Sequence, residues 1–152
     1  MPAEKNIVIF DLDGTLANID ERREKAMKQN GKLNWEKFSS DELIKKDLPN
    51  VPVIKTAKLF HQNGFKIYVL SGRSEKTKEV TTQWLKKYDV PFDLLKMRGK
   101  NDTRPDEVIK KEFVLELGIL ENIFLILDDR QKVVNMWRSL KLPCFQVNEG
   151  TF

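Results

Sequence analysis

At 152 residues the chain is the size of one compact domain, which leaves no room for a second catalytic module. Hydrophobic residues at 40% and charged residues at 33% supply enough apolar side chain for a core and too much for a charge-dominated, unfolded chain. A single cysteine (Cys144) and a single histidine (His61) exclude an internal disulfide and a multi-histidine zinc site, so metal chemistry falls to carboxylates, while a net charge of +4 mildly favours a polyanionic partner.

The first predicted element is a strand over Ile7–Phe10, a wholly apolar run of the kind buried on both faces of a parallel sheet. The sheet rhythm then stops between Leu16 and Val51. Residues 20–50, dense in both charge signs, read as an inserted helical or irregular cap over one end of the sheet; a solvated helical hairpin without functional role is the alternative. Val53, Ile54, Ala57 and Phe60 then recur at helical spacing, with Pro52 in the expected first turn and Gly64 where the helix stops.

A second strand follows at Lys66–Leu70, then a helix over about 75–88 that turns Val80, Trp84, Leu85 and Tyr88 inward. A weaker strand spans Phe92–Met97. The helix from near Pro105 to before Gly118 presents Val108, Ile109 and Phe113, with Leu117 at the edge of that stripe. Ile123–Leu127 is a third apolar strand, and the helix after Arg130 carries Val133, Val134, Met136, Trp137 and Leu140, with Trp137 read as core. A weak strand at Cys144–Val147 closes the pattern. Strands alternating with helices of this length predict an α/β fold with a mainly parallel, five-stranded sheet flanked by helices and one small cap insertion. The longest unbroken aliphatic or aromatic run, Ile123–Leu127, is far short of the ~20 residues of a membrane helix. The opening Met-Pro-Ala-Glu-Lys-Asn lacks the apolar stretch of a secretory signal, and a cytoplasmic protein without a membrane partner is expected.

Three strand ends carry polar clusters: Asp11-Leu-Asp13-Gly-Thr-Leu16, Ser71-Gly-Arg73 and Asp128-Asp-Arg130. In open parallel sheets ligands bind outside the carboxyl ends of the strands, so the three can meet in one crevice. Asp11, Asp13, Asp128 and Asp129 together would repel one another unless a cation joined them, and hard oxygen ligands favour Mg²⁺. Asp11 can attack phosphorus, and Asp13 can protonate a leaving oxygen and then activate water. Gly14 permits the tight path beside them, Ser71 and the N–H groups after it can hold phosphate oxygens, and Lys110 can neutralise nucleophile and phosphate together. A calcium loop is excluded, because setting Gly14 at the sixth position puts apolar Ile9 at the first ligand position. Each tripeptide alone is a common turn or helix cap; their order, each directly after an apolar strand, carries the reading.

That ordered set resembles the haloacid dehalogenase phosphohydrolase superfamily, whose fold is Rossmann-like. A closer resemblance, over about residues 6–152 and weakest across 24–50, is to the 3′-phosphatase domain of T-even phage polynucleotide kinase/phosphatases. It rests on the stretches Met97–Lys110, Leu127–Arg138 and Gln146–Phe152. The resemblance implies that Asp11 is the nucleophile and Asp13 the general acid/base. Asp11, the Asp13 carbonyl and the Asp128/Asp129 pair would hold Mg²⁺, with either member of the pair in direct contact. Ser71 and Lys110 match phosphate ligands, and Asp106 matches an acid that supports Lys110 from one turn away on the same helix. Thr15, Arg22, Gly72, Arg73, Arg98, Asp106 and Arg130 are expected on the substrate side; for Arg130 a surface charge or a carboxylate partner is an equal alternative.

The implied activity is a polynucleotide 3′-phosphatase that heals DNA or RNA ends beside a separate kinase or ligase. A nucleotidase acting on nucleoside monophosphates and a non-catalytic nucleic-acid-repair binding module are the alternatives. No G-x-x-x-x-G-K-[S/T] occurs, so no 5′-kinase activity is expected.

Overall fold

The computed structural model describes residues 2–150. Its main sheet has five parallel strands, β1 (Ile7–Phe10), β4 (Lys66–Ser74), β5 (Leu94–Arg98), β6 (Ile123–Arg130) and β7 (Cys144–Gly150), in the order β5-β4-β1-β6-β7. β1 lies at the centre, and the strand order runs outward from it in both directions. The crevice at its carboxyl end is therefore the place where such sheets bind ligands.

Side-chain alternation along β1 sorts the core. Val8 and Phe10 join the cluster covered by helices α4 (Val51–Gln62) and α5 (Lys78–Lys87), whereas Ile7 and Ile9 join the cluster covered by α6 (Asp106–Leu117) and α7 (Gln131–Ser139). All four are at most 4% exposed, as burial on both faces requires. Helix α4 starts with Pro52 in its first turn, and α6 stops at Gly118, which adopts the left-handed conformation at φ +65° that an L side chain disfavours.

Boundaries differ from the sequence reading where the chain turns polar. β4 and β6 run past Leu70 and Leu127 because their polar ends stay extended and keep pairing, with irregularities at Ser71/Ser74 and Asp128/Arg130. β7 reaches Gly150 rather than Val147, since Gly150 pairs with Arg130. β5 begins at Leu94 rather than Phe92, and the helix expected from about Glu75 opens as a 3₁₀ turn (Glu75–Thr77) capped by Ser74. Val108, expected inside, is 43% exposed: Ile109, Phe113 and Val114 set the inward stripe of α6, and Val108 falls beside it.

Residues 20–50 form three short helices, α1 (Asp20–Ala26), α2 (Trp35–Phe38) and α3 (Asp41–Ile44). They stand on an antiparallel pair, β2 (Ala17–Asn18) with β3 (Leu48–Pro49). Asn34 and Ser40 cap α2 and α3 with side-chain oxygens. Ala26, Phe38 and Leu43 bury into the core cluster below, so the segment is packed rather than solvated. Among the described residues no helix is long and apolar enough to cross a membrane.

Candidate active site

The carboxyl ends of β1, β4 and β6 and the inner face of α6 converge on a cleft of about 990 Å³ roofed by the segment 20–50. At its floor, Asp11, Asp128 and Asp129 are all buried, with ligand oxygens within 4.8 Å of one another. Lys110, projecting from α6, places its Nζ 2.6 Å from Asp11 Oδ1 and 3.0 Å from Asp128 Oδ2. Asp128 Oδ2 also accepts from the Trp137 indole N–H at 3.3 Å, and its Oδ1 from the backbone N–H of Asp129 at 2.9 Å. Burial would lower the Lys110 ammonium, but Asp11 and Asp128 outweigh it and hold its pKa above the ordinary value. Burial, followed by Asp128, pushes the Asp11 carboxyl well up against the pull of Lys110; Asp129 is also raised, chiefly by burial. Three carboxylates facing one ammonium leave the cluster two negative charges in excess when ionised, an arrangement that a bound divalent cation would balance.

Asp13 projects away from that cluster. Its Oδ1 accepts from Arg22 Nη2 at 2.6 Å and from Arg73 Nη2 and Nε at 2.6 and 2.9 Å. The same guanidiniums grip Asp47 from the end of the cap segment: Arg22 Nε at 3.0 Å, and Arg73 Nη2 at 3.2 Å. Burial alone would raise Asp13, yet Arg73 and Arg22 bring it down to about 2. At Asp47 burial prevails over the same two arginines and lifts the carboxyl to about 6. Near neutral pH two aspartates and two arginines thus form a charge-balanced knot that joins cap to sheet.

A second knot forms the rim. Asp106 accepts from Arg98 Nη2 and, at 2.7 Å, from Arg130 Nη1. Arg98 Nε in turn donates to the Gly72 carbonyl at 2.8 Å. A Cβ on Gly72 would lie 2.5 Å from Asp106 Oδ1, so the absence of a side chain lets the strand end approach this carboxylate. Gly14, at φ +84°, allows a still closer approach: a Cβ there would lie 2.0 Å from Asp129 Oδ2.

The sequence-selected residues Asp11, Asp13, Ser71, Lys110, Asp128 and Asp129 therefore share one cleft, with Arg22, Gly72, Arg73, Arg98, Asp106 and Arg130. The buried Ser71 hydroxyl accepts the Arg73 backbone N–H at 3.1 Å. Thr15 does not line the cleft; it is fully buried and donates to Asp11 Oδ2 at 3.2 Å. Asp106 pairs with two arginines rather than bracing Lys110 by hydrogen bond, because β5 and β6 bring those cations to it while Lys110 turns to the carboxylates. Arg130 does take the carboxylate partner weighed for it. Asp47 and the indole bond from Trp137 escape the sequence patterns. Cys144 is buried and its thiol is pushed up to about 12, chiefly by burial, which leaves it unreactive.

Residues 5–152 match the family model of the polynucleotide kinase PNKP phosphatase domain. A protein of Autographa californica nuclear polyhedrosis virus, assigned as a bifunctional polynucleotide kinase/RNA ligase, is 32% identical over 139 residues, 90% of this chain and 18% of the viral one. A chain of the solved Pnkp1/Rnl/Hen1 complex is 40% identical with a TM-score of 0.81, covering 99% of this chain and 48% of that one. The chain thus spans about half of the solved relative and less than a fifth of the viral relative. A Clostridium acetobutylicum protein assigned as a phosphatase shares the fold at 14% identity, with a TM-score of 0.74 over 95% of this chain and 85% of that one. With its fold and family model in agreement, the chain belongs to the polynucleotide kinase PNKP phosphatase domain family and is a phosphomonoesterase of the haloacid dehalogenase type.

Proposed function

We propose that the chain is a Mg²⁺-dependent polynucleotide 3′-phosphatase that works through an aspartyl-phosphate on Asp11. The observation that carries this reading is the contact between Lys110 and Asp11, beside two further buried carboxylates and within one cleft with Asp13. Asp11, Asp128 and Asp129 fit a hard cation, and the Asp13 carbonyl is the further ligand the family resemblance implies. When bound, Mg²⁺ supplies the positive charge that keeps Asp11 ionised and neutralises phosphate oxygens.

Asp11 Oδ forms a bond to phosphorus as the bond to the 3′-oxygen breaks, and Asp13 delivers a proton to that oxygen. Water then attacks phosphorus, giving its proton back to Asp13, and the bond to Asp11 breaks to release phosphate. Lys110 balances charge on Asp11 and on the transferring group, and Ser71 with the following N–H groups receives its oxygens. A phosphate dianion beside Arg22 and Arg73 competes with Asp13 for the same N–H donors. Its charge raises the Asp13 pKa from about 2 towards the range in which the carboxyl can carry the proton it must donate. Burial by the roof and the dense charge around Asp11 serve one end: phosphomonoester hydrolysis is among the slowest uncatalysed reactions, and splitting it through a covalent intermediate divides the barrier.

The Pnkp1 relative belongs to a solved RNA repair complex with Rnl and Hen1. By analogy this chain acts on nucleic-acid ends, beside kinase and ligase activities. Phosphate release, with and without Mg²⁺, from a 3′-phosphorylated oligonucleotide, its 5′-phosphorylated counterpart and 3′- and 5′-mononucleotides tests the reading. Metal-dependent preference for the 3′-phosphorylated oligonucleotide supports it; preference for mononucleotides replaces it with a nucleotidase, and no release from any with another phosphoester substrate or a non-catalytic module.

A further inference from the structure

The cleft has two unlike walls. The sheet side is ionic, whereas the roof adds to Arg22 and Arg23 an apolar patch formed by Ile19, Leu33, Trp35, Phe38 and Ile44. Ile19, Phe38 and Ile44 are buried, but Trp35 is 68% exposed, an unusual state for so large an apolar side chain on a cleft wall. Trp84 and Trp137, by contrast, are 2% and 0% exposed. The Trp35 ring is held edge-on by Phe38, with centroids 5.7 Å apart and planes at 87°. Phe38 is itself fixed from the other direction: the Arg22 guanidinium carbon lies 4.5 Å from its ring centroid, and Arg22 Nη1 donates to its carbonyl at 3.2 Å. Because Arg22 also grips Asp13, a chain of direct contacts leads from the indole to the proposed acid/base group.

A bare phosphate needs only the ionic floor. At about 990 Å³ the cleft lies at the upper end of the range for sites that enclose a whole organic ligand, and the flat exposed indole answers to a flat apolar group on the same substrate. Resting on the 3′-phosphatase reading, we infer that Trp35 is a stacking platform for the base of the nucleotide that carries the 3′-phosphate, and so a specificity residue of this site. Stacking is indifferent to base identity, because every base has a π-face. The platform therefore separates a nucleotide end from other phosphomonoesters without reading sequence.

The test compares a 3′-phosphorylated oligonucleotide with the same strand whose terminal nucleotide lacks its base, for wild type, W35A and W35F. The wild type is expected to show a lower KM for the base-bearing strand. W35A raises that KM about five- to 150-fold, the span seen when base-stacking aromatics are cut to alanine. It also erases the difference between the two strands, and W35F restores most of it. Equal losses on both strands, or full discrimination in W35A, would overturn the inference, as would a change of oligomeric state in W35A with discrimination intact.

A second readout stands apart from turnover. Since Trp84 and Trp137 are buried, the base-bearing strand should quench the fluorescence of the D11N variant through Trp35, and quenching should vanish when W35F is added. If the wild type releases no phosphate from either strand, the 3′-phosphatase reading fails while the titration still decides the stacking: quenching lost with W35F upholds it, and saturable binding without quenching ends it.

Discussion

Lys110→Met keeps the aliphatic stem of the side chain and removes its charge. In the wild type the ammonium lies 2.6 Å from Asp11 and 3.0 Å from Asp128, and its side chain is only 3% exposed. Its loss leaves three buried carboxylates within 4.8 Å of one another without their cation. Removing one partner of a buried ionic cluster costs about 3–5 kcal/mol. For a chain of this length that lowers Tm by about 6–20 °C. The assay is thermal unfolding by circular dichroism in EDTA and again in millimolar Mg²⁺. Mg²⁺ at the proposed carboxylate site should recover more of Tm in the variant than it adds to the wild type. Phosphate release should fall by about 10²–10³-fold in the presence of metal, the loss typical when one preorganised charge-stabilising group is deleted. A variant within about 1 °C of wild type in EDTA, or with turnover within about twofold, would refute the place given to Lys110.

Asp11→Asn should lower turnover by about 10⁴-fold or more while far-ultraviolet circular dichroism stays native, as expected for a nucleophile. Gly72→Ala puts a Cβ 2.5 Å from Asp106 Oδ1, so that carboxylate must leave its place between Arg98 and Arg130; a rise in KM of about tenfold with little change in Tm is expected from steady-state kinetics. Gly14→Ala combines a contact of 2.0 Å to Asp129 with a backbone at φ +84°, and should cost about 1–2 kcal/mol from the backbone alone in denaturant unfolding, with weaker Mg²⁺ binding by calorimetry. For Asp47, raised from 3.8 to about 6, the folded state keeps the proton to higher pH than the unfolded chain. Wild-type stability should therefore fall relative to Asp47→Asn by about 3 kcal/mol as pH rises from about 4 to 6, and remain level above that. A pH-independent difference would count against that shift.

The residues legible in the sequence are those whose meaning is set by position along the chain. Asp11, Ser71 and Asp128 each follow an apolar run, and a parallel sheet gathers such strand ends at one edge. The alternation of Ile7, Val8, Ile9 and Phe10 between two core clusters follows equally from strand geometry. Asp47 is different in kind. It lies a few residues from Asp41 and Glu42, which are exposed, and no local pattern separates the one that folds under the cap from its solvated neighbours. Only the meeting of Arg22 from the cap with Arg73 from β4 gives it a role, and that meeting is tertiary.

Periodicity placed Trp137 in the core, where it is 0% exposed, but it is silent on the indole N–H. The bond to Asp128 depends on how α7 packs across β6. Asp106 marks the limit of a spacing argument. Its spacing of four from Lys110 is a true helical neighbourhood and its charge helps hold the Lys110 pKa up, but its hydrogen bonds go to Arg98 from β5 and Arg130 from β6, while Lys110 turns to Asp11 and Asp128.

The central claim is that Asp11 is phosphorylated by a 3′-phosphorylated strand. Rapid acid quench of a single turnover, followed by mass spectrometry of the peptide that contains Asp11, tests it most directly. The expected result is one phosphoryl group on that peptide at early times in Mg²⁺, gone at completion, and none in Asp11→Asn. Phosphate release by Asp11→Asn at the wild-type rate, with the peptide unmodified throughout, would contradict it.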